Sequence, residues 1–490
     1  MTKRWITAGL AVSIVLGCAG AGRTKSDLQR SLKKGEIPVV HDPASLTQQD
    51  LQHMVDFLVP HIEAVSGRTF KSVPPARLGT HDALAAVLGD ESLDIVRAIY
   101  DAPDPVLERL AARSSSGVPS ILGKYAVKDG SVYVATDKLP ALSAASNLPA
   151  DRSIEPVIIV LTHELAHALQ DQVAELHDIE MRLEDLDHFD GFRGITEGQA
   201  NWITLRVAER LKLEEAFWAL SKGQGWGKDG LQTPGAFPVW TFYGQGMAMC
   251  EHHFAEGGND RLWTLVAHPP RSTTMIFRPE TYAASLTAPR DYAAVLRGID
   301  DKLAPRVERV AINTHLGEAP LRKETLGLDP ERVERVLSEI QWGHAIQFEP
   351  TVGSPWTAGV QVIDFKEAAA AKELVNLLAD GLDAQAKART DLEKEMAEKV
   401  PGLVPQQWSV EATSYGRIEA DVALRRVVGP VAEIGADGQP VRSVSSEQQS
   451  LWIVRGERLV VVEAKGYRPG LRLDKTVEEI FRRLKVDESE

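Results

Sequence analysis

The stretch Leu161 to Gln172, LTHELAHALQDQ, sets His163 and His167 four residues apart and puts Glu164 directly after the first of them. On an α-helix, residues four apart share a face, with Cβ atoms about 5–6 Å from one another. Both imidazoles can therefore reach one cation. Zinc suits nitrogen ligands, and a catalytic zinc site takes three protein ligands plus a water. Bound zinc lowers the pKa of that water to about 7. A carboxylate in the position of Glu164 contacts the water and serves as general base. One helical turn thus offers two ligands and a base, and leaves the site one ligand short.

The third ligand must come from elsewhere. The extended pattern HExxHxxGxxH needs a glycine and a further histidine at positions held here by Gln170 and Val173, so that type of site is excluded. His177 stands fourteen residues beyond His163, past the best reach of the same metal. The other solution is a downstream carboxylate. The segment GITEGQANW supplies Glu197, thirty residues after His167, at the start of a second helical pattern. Gly198 and Ala200 are small and are expected to let this helix approach the first closely.

HExxH followed by a helix carrying Glu-Gly-x-Ala resembles the gluzincin metallopeptidases. The resemblance covers residues 120–282 and implies His163, His167 and Glu197 as zinc ligands with Glu164 as base. The segments THELAHALQDQ, TEGQAN, FYGQGM and PPRSTTMIFRPETY are similar to those of uncharacterised bacterial secreted or lipoprotein peptidase-like proteins. In that set the Glu-Gly segment often has an acidic third residue, and the last motif often has His before Pro. Here those positions are Gln199 and Arg278. A peptidase also needs a hydrogen-bond donor for the developing oxyanion. Tyr243 is the first candidate, with Arg278 and His268 behind it. Asn201, one turn beyond Glu197, is positioned to orient a ligand, a role such outer-shell residues commonly fill.

These residues need elements to hold them. Ile154 to Leu213 is dominated by helical patterns, with Ser153 as N-cap and Pro156 in the first turn, where proline is tolerated. The run VIIVL is apolar all round, which marks a buried helix. SILGKYAVKDGSVYVATD, Ser120 to Asp137, reads as a β-hairpin turning at Lys128-Asp129-Gly130. It is a candidate edge strand for a substrate cleft that holds extended peptide by main-chain pairing. A strand is expected within GRTFKSVPPARLG, a loop over Lys222 to Pro238, a helix over Val239 to Phe254, and a Pro-bounded loop over AHPPRSTTMIFRPETY. Trp202, Trp240 and Phe242 are candidates to line a pocket. After about Arg297 the character changes: a helical pattern runs to about Ile340, followed by strands over 360–364, 408–412, 420–428, 450–454 and 458–463 and helices over 368–379 and 475–484.

The expected fold class is α+β. Residues 41–300 form a mainly helical zincin-like domain with a small edge-stranded sheet. Residues 301–350 form a helical linker, and residues 351–490 a smaller α+β domain. The N-terminus MTKRWITAGLAVSIVLGCAG has a basic start and a short apolar run, the signature of a signal peptide over 1–17. It ends in Val-Leu-Gly-Cys, which resembles a bacterial lipobox. The resemblance implies lipidation of Cys18, a tether over 18–40 and a membrane held through the lipid. Ala19 after Cys18 points to the outer membrane by analogy with lipoprotein sorting. Cys250, the other of two cysteines, is expected to be a buried thiol.

The chain has 490 residues, 43% hydrophobic and 25% charged, and a net charge of −14. That balance suits a soluble globular protein and argues against a nucleic-acid partner. The expected function is a lipid-anchored zinc peptidase acting on peptides or proteins in a bacterial envelope. An alternative of a different class is a zincin-fold lipoprotein without turnover that serves as a binding or scaffold protein.

Overall fold

The structure, a computed structural model, describes residues 43–115, 122–140, 148–223, 237, 240–283, 292–299, 309–351, 357–399, 407–430, 433–434, 440–441, 448–465 and 473–487. Cys18, the signal sequence and the tether lie outside these residues, as does most of the expected loop over Lys222 to Pro238.

The first part is built on α1 (Gln48–Ser66), β1 (Ala76–Gly79), α2 (His81–Ile99), α3 (Asp104–Ser115), β2 (Gly123–Ala126) and β3 (Ser131–Ala135). Then come α4 (Glu155–Ala174), α5 (Leu176–Glu180), α6 (Leu186–Leu211), α7 (Glu214–Gly223), a π-turn (Trp240–Gln245), α8 (Gly246–Ala267) and α9 (Thr273–Phe277). The hairpin forms as its turn residues require: β2 and β3 pair antiparallel, and Gly130 takes φ 65°. β1 adds parallel to β3, so the sheet order is β1-β3-β2 and β2 is an edge. β1 begins only after Pro74 and Pro75, because proline has no N–H for the ladder. One apolar core joins α1, α4, α6 and α8, with Leu51, Leu58, Leu161, Leu165, Ile195 and Met249 fully buried.

The second part comprises α10 (Tyr292–Leu296), β4 (Arg309–His315), α11 (Glu318–Glu324), α12 (Pro330–Leu337), β5 (Ile340–Pro350), β6 (Thr357–Phe365), α13 (Ala368–Asp380) and α14 (Leu382–Lys399). It continues with β7 (Trp408–Ser414), β8 (Val422–Pro430), a small ribbon of β9 (Glu433–Ile434) and β10 (Pro440–Val441), β11 (Gln448–Arg455), β12 (Arg458–Lys465) and α15 (Leu473–Asp487). Seven strands form one antiparallel sheet in the order β4-β5-β6-β12-β11-β8-β7. Side chains alternate between its faces. Val460 and Val462 meet Ile480 and Phe481 of α15 on one side, while Leu459 and Val461 meet Leu374 and Leu378 of α13 on the other. Burial on both faces explains the unbroken apolar run LVVV in β12. The class is α+β.

Two expectations are corrected. Residues 301–350 are not a helical linker: β4 and β5 are the first two strands of the large sheet. The period-two signal in β5 is blurred by Gly343 and His344, and long-range pairing with β6 decides its conformation. The Pro-bounded segment after Ala267 is not wholly loop. Ser272 caps α9, its hydroxyl accepting from Thr274 N at 3.2 Å. Among the described residues, no helix is long and apolar enough to cross a membrane.

Candidate metal centre

α4 carries His163, Glu164 and His167, and it is buried on nearly all sides: Val157, Leu161, Leu165, Ala166, Ala168 and Leu169 are core residues. Pro156 sits in its first turn as expected, but Ile154 rather than Ser153 takes the cap position, because the chain enters in a helical conformation. α6 carries Glu197 and is capped by Asp185, whose carboxylate accepts from His188 N at 2.9 Å. The close approach at Gly198 of α6 serves a different helix than expected. A Cβ on Gly198 would fall inside the backbone of Gly246, and one on Gly246 would strike the carbonyl oxygen of Gly194. Glycines therefore let α6 and α8 cross at backbone contact. The segments containing Glu-Gly-x-Ala and Gly-Gln-Gly are thus the two sides of one crossing, and that crossing lays the π-turn over the metal helix.

Three donor atoms converge. His163 Nε2 lies 3.1 Å from Glu197 Oε2, His167 Nε2 lies 3.2 Å from the same oxygen, and the two Nε2 atoms are 3.1 Å apart. Metal–ligand distances of about 2.0–2.1 Å in a tetrahedral arrangement place ligand atoms about 3.3 Å from each other. The triangle fits a small divalent ion. The ligand side chains retain 13%, 15% and 18% exposure, so one side of the triangle is open, as a catalytic rather than a closed structural site requires.

The tautomer of His167 follows from its surroundings. The Thr196 carbonyl can only accept, so the Gln170 amide must turn its Nε2 to it, at 2.8 Å. Gln170 Oε1 then faces His167 Nδ1 at 2.8 Å, and Nδ1 must donate. That arrangement aims a lone pair from His167 Nε2 at Glu197 Oε2. Two acceptors 3.2 Å apart call for a proton or a cation between them. Burial opposes ionisation of Glu197, but the two imidazoles outweigh it and hold its carboxyl well below the usual carboxylate range. Burial likewise disfavours an imidazolium at His167, and Glu197 and Glu164 outweigh it to raise that pKa. Gln170 also donates to Gln199 Oε1 at 3.0 Å. The amide at Gln199 thus belongs to the chain that orients His167.

Glu164 reaches the sheet edge. Its Oε2 accepts from Tyr125 N of β2 at 2.7 Å, and it is 8% exposed. Gly123 lets the strand come this near: a Cβ there would lie 2.7 Å from Val160 Cγ1 and 2.8 Å from Glu164 Cγ. The edge strand therefore runs beside the site at the level of the candidate base. Tyr243, in the π-turn, stacks on His163 with ring centroids 5.7 Å apart and planes inclined by 26°. Burial and then the Glu197 charge push its phenol well above its ordinary pKa, so it keeps its proton. Its hydroxyl is hydrogen-bonded to Glu197, which puts the phenol at the edge of the triangle.

Other candidates are placed elsewhere. Asn201 is buried, its Nδ2 has no acceptor, and among the described residues it makes no hydrogen bond to a ligand. Glu197 reaches across to α4 rather than back along its own helix, and it is Gln170 that hydrogen-bonds a member of the triangle, His167. Arg278 binds Glu318 through two nitrogens and Glu334 at 3.0 Å, within an ion-pair cluster that joins α9 to α11 and α12. His268 caps α8 and accepts from Tyr282 through its carbonyl. Trp240 packs on Phe237 and Phe277, and Trp202 is buried against Phe254. Cys250 is a buried free thiol. A second group, His252, His253 and Glu256, lies on α8. There His253 Nδ1 already engages Glu256 at 2.6 Å, and the Arg261 guanidinium approaches the same carboxylate at 3.6 Å, so a cation would meet an existing positive charge.

No protein-family profile and no curated protein matches this chain. Two solved structures are similar in part. One is a candidate hydrolase with a novel fold from Chloroflexus aurantiacus, at 18% identity and a TM-score of 0.36, covering 52% of this chain and 95% of that one. The other is the extracellular domain of PknH from Mycobacterium tuberculosis, at 12% identity and a TM-score of 0.23, covering 40% and 95%.

Sequence reading missed Gln170 as a positioning residue. Its only signal was its place three residues after His167, on the same helical face. Replacing it with Ala frees the His167 ring and removes the acceptor that selects its tautomer. The expected result is about 10–100-fold weaker metal binding, measured by competition with a chromogenic chelator. Unchanged affinity in that variant would remove Gln170 from the account.

Proposed function

We propose that the protein is a zinc-dependent peptidase of gluzincin type. The observation that carries this reading is the convergence of His163, His167 and Glu197 on one open point, with Glu164 on the adjoining face of the same helix. Two imidazoles and a carboxylate are the donor set of known catalytic zinc sites. When bound, the ion supplies Lewis acidity, polarising a carbonyl and lowering the pKa of water towards about 7.

The chain's own residues then have defined tasks. Glu164 takes a proton from the attacking water and passes it to the leaving amine. Tyr243, protonated and stacked on His163, donates to the oxyanion that develops on the scissile carbonyl. Gln170 holds the His167 tautomer, and the edge strand β2 lines an extended peptide beside Glu164. We further propose lipid attachment at Cys18 and residence in a bacterial envelope at the outer membrane, on the strength of the lipobox-like segment. The two positions that differ from the similar set have structural accounts: Gln199 accepts from Gln170, and Arg278 closes an ion-pair cluster with Glu318.

The test is cleavage of a degenerate peptide library read by mass spectrometry. The untreated protein is expected to cut, a chelator to abolish cutting, and stoichiometric zinc to restore it. Cutting that survives complete metal removal would refute the zinc mechanism.

A further inference from the structure

Arg193 lies on α6 one turn ahead of Glu197, so the two side chains share a face. Its guanidinium sits over the Phe242 ring, 4.4 Å from the centroid, and 5.7 Å from that of Phe189. Phe242 immediately precedes Tyr243 in the π-turn, and the Arg193 charge acts on the Tyr243 phenol. Asp190, three residues earlier, also feels this charge but does not come within ion-pair distance. Among the described residues, no carboxylate pairs with Arg193 and no oxygen accepts a hydrogen bond from it. Among the described residues, the partly buried Arg278, Arg322 and Arg458 all bind carboxylates.

A guanidinium stacked on an aromatic face keeps its in-plane N–H groups free, and these form the fork that fits a carboxylate. Half-buried N–H donors without an acceptor are unfavourable until a partner arrives. The charge balance agrees. Glu164 and Glu197 contribute two negative charges, and a divalent cation on the ligand triangle cancels them. Arg193 then adds a positive charge at the aromatic wall next to Tyr243, with Asp190 near it but outside ion-pair distance.

We infer that Arg193 forms an anion subsite of this cleft and holds a carboxylate of the substrate next to the bond that is cut. The inference rests on the peptidase reading and narrows its substrate class. The carboxylate is either a peptide C-terminus or an acidic side chain, and both present the same two oxygens to the fork.

Equilibrium binding separates these cases. The probes are N-acetyl-trialanine, its C-terminal amide, and the amide carrying Glu as third residue, each titrated calorimetrically into the full-length protein with stoichiometric zinc. At least one carboxylate probe is expected to bind about tenfold or more tightly than the trialanine amide. Arg193→Gln should bring that ratio to near one, and Arg193→Lys should keep part of it, since the charge remains without the fork. The acid that keeps its advantage names the source of the carboxylate. Equal binding of all three probes by the wild type, no binding of either acid at about 10 mM, or a ratio unchanged in Arg193→Gln would overturn the inference. Zinc content of the same samples reports separately on the metal. A protein that holds no zinc yet shows the Arg193-dependent ratio would defeat the peptidase reading and leave the subsite standing.

Discussion

On the proposed mechanism, Glu164→Gln is expected to keep its metal and to lose turnover by about 10²–10⁴-fold, the usual contribution of a positioned general base. The substitution is conservative in shape. Its amide oxygen can still accept from Tyr125 N, the bond that anchors Glu164 to the edge strand. Glu164 is not one of the three converging donors, so metal content should equal that of the wild type. What disappears is the capacity to take a proton from water and return it to the leaving nitrogen. kcat/KM for a library-derived peptide, measured beside metal content, gives the result. Cleavage at the wild-type rate would sink the assignment of the base.

Glu197→Ala is expected to show the complementary signature, the loss of both metal and turnover. Glu197 Oε2 is the atom both imidazoles face, at 3.1 and 3.2 Å, and it supplies the only negative charge among the three ligands. Without it, two neutral nitrogens remain on one helical turn. Occupancy after dialysis should fall below about a tenth of the wild-type value, because a catalytic zinc site relies on three protein ligands. The fold should persist. Glu197 is partly exposed, while the α6–α8 crossing rests on Gly194, Gly198 and Gly246, none of which the substitution touches. Full occupancy in a folded Glu197→Ala protein would mean that another group completes the site.

The contrast between these variants reflects which parts of the site were legible in the sequence. His163, Glu164 and His167 could be placed together because helical periodicity acts over four residues. Glu197 could be named because its segment carries its own pattern. Gln170 could not be assigned a role, since its function depends on the Thr196 carbonyl, which only tertiary packing brings to it. The same holds for Gly198. Its smallness was plain, but the sequence does not say that Gly246 rather than the metal helix lies against it. β4 and β5 were hidden for a related reason. Their strand character comes from partners far along the chain, and His344 and Gly343 break the alternation that would have announced it. By contrast, β12 and α13 declare themselves locally, one through a doubly buried apolar run and the other through an apolar stripe.

The central claim is that His163, His167 and Glu197 hold one catalytic metal ion. Its most direct test is elemental analysis of the wild-type protein purified without added metal, run beside His163→Ala. The account predicts close to one zinc per wild-type chain and almost none in the variant. A folded wild-type protein that carries no stoichiometric metal and takes up none from micromolar zinc would contradict it.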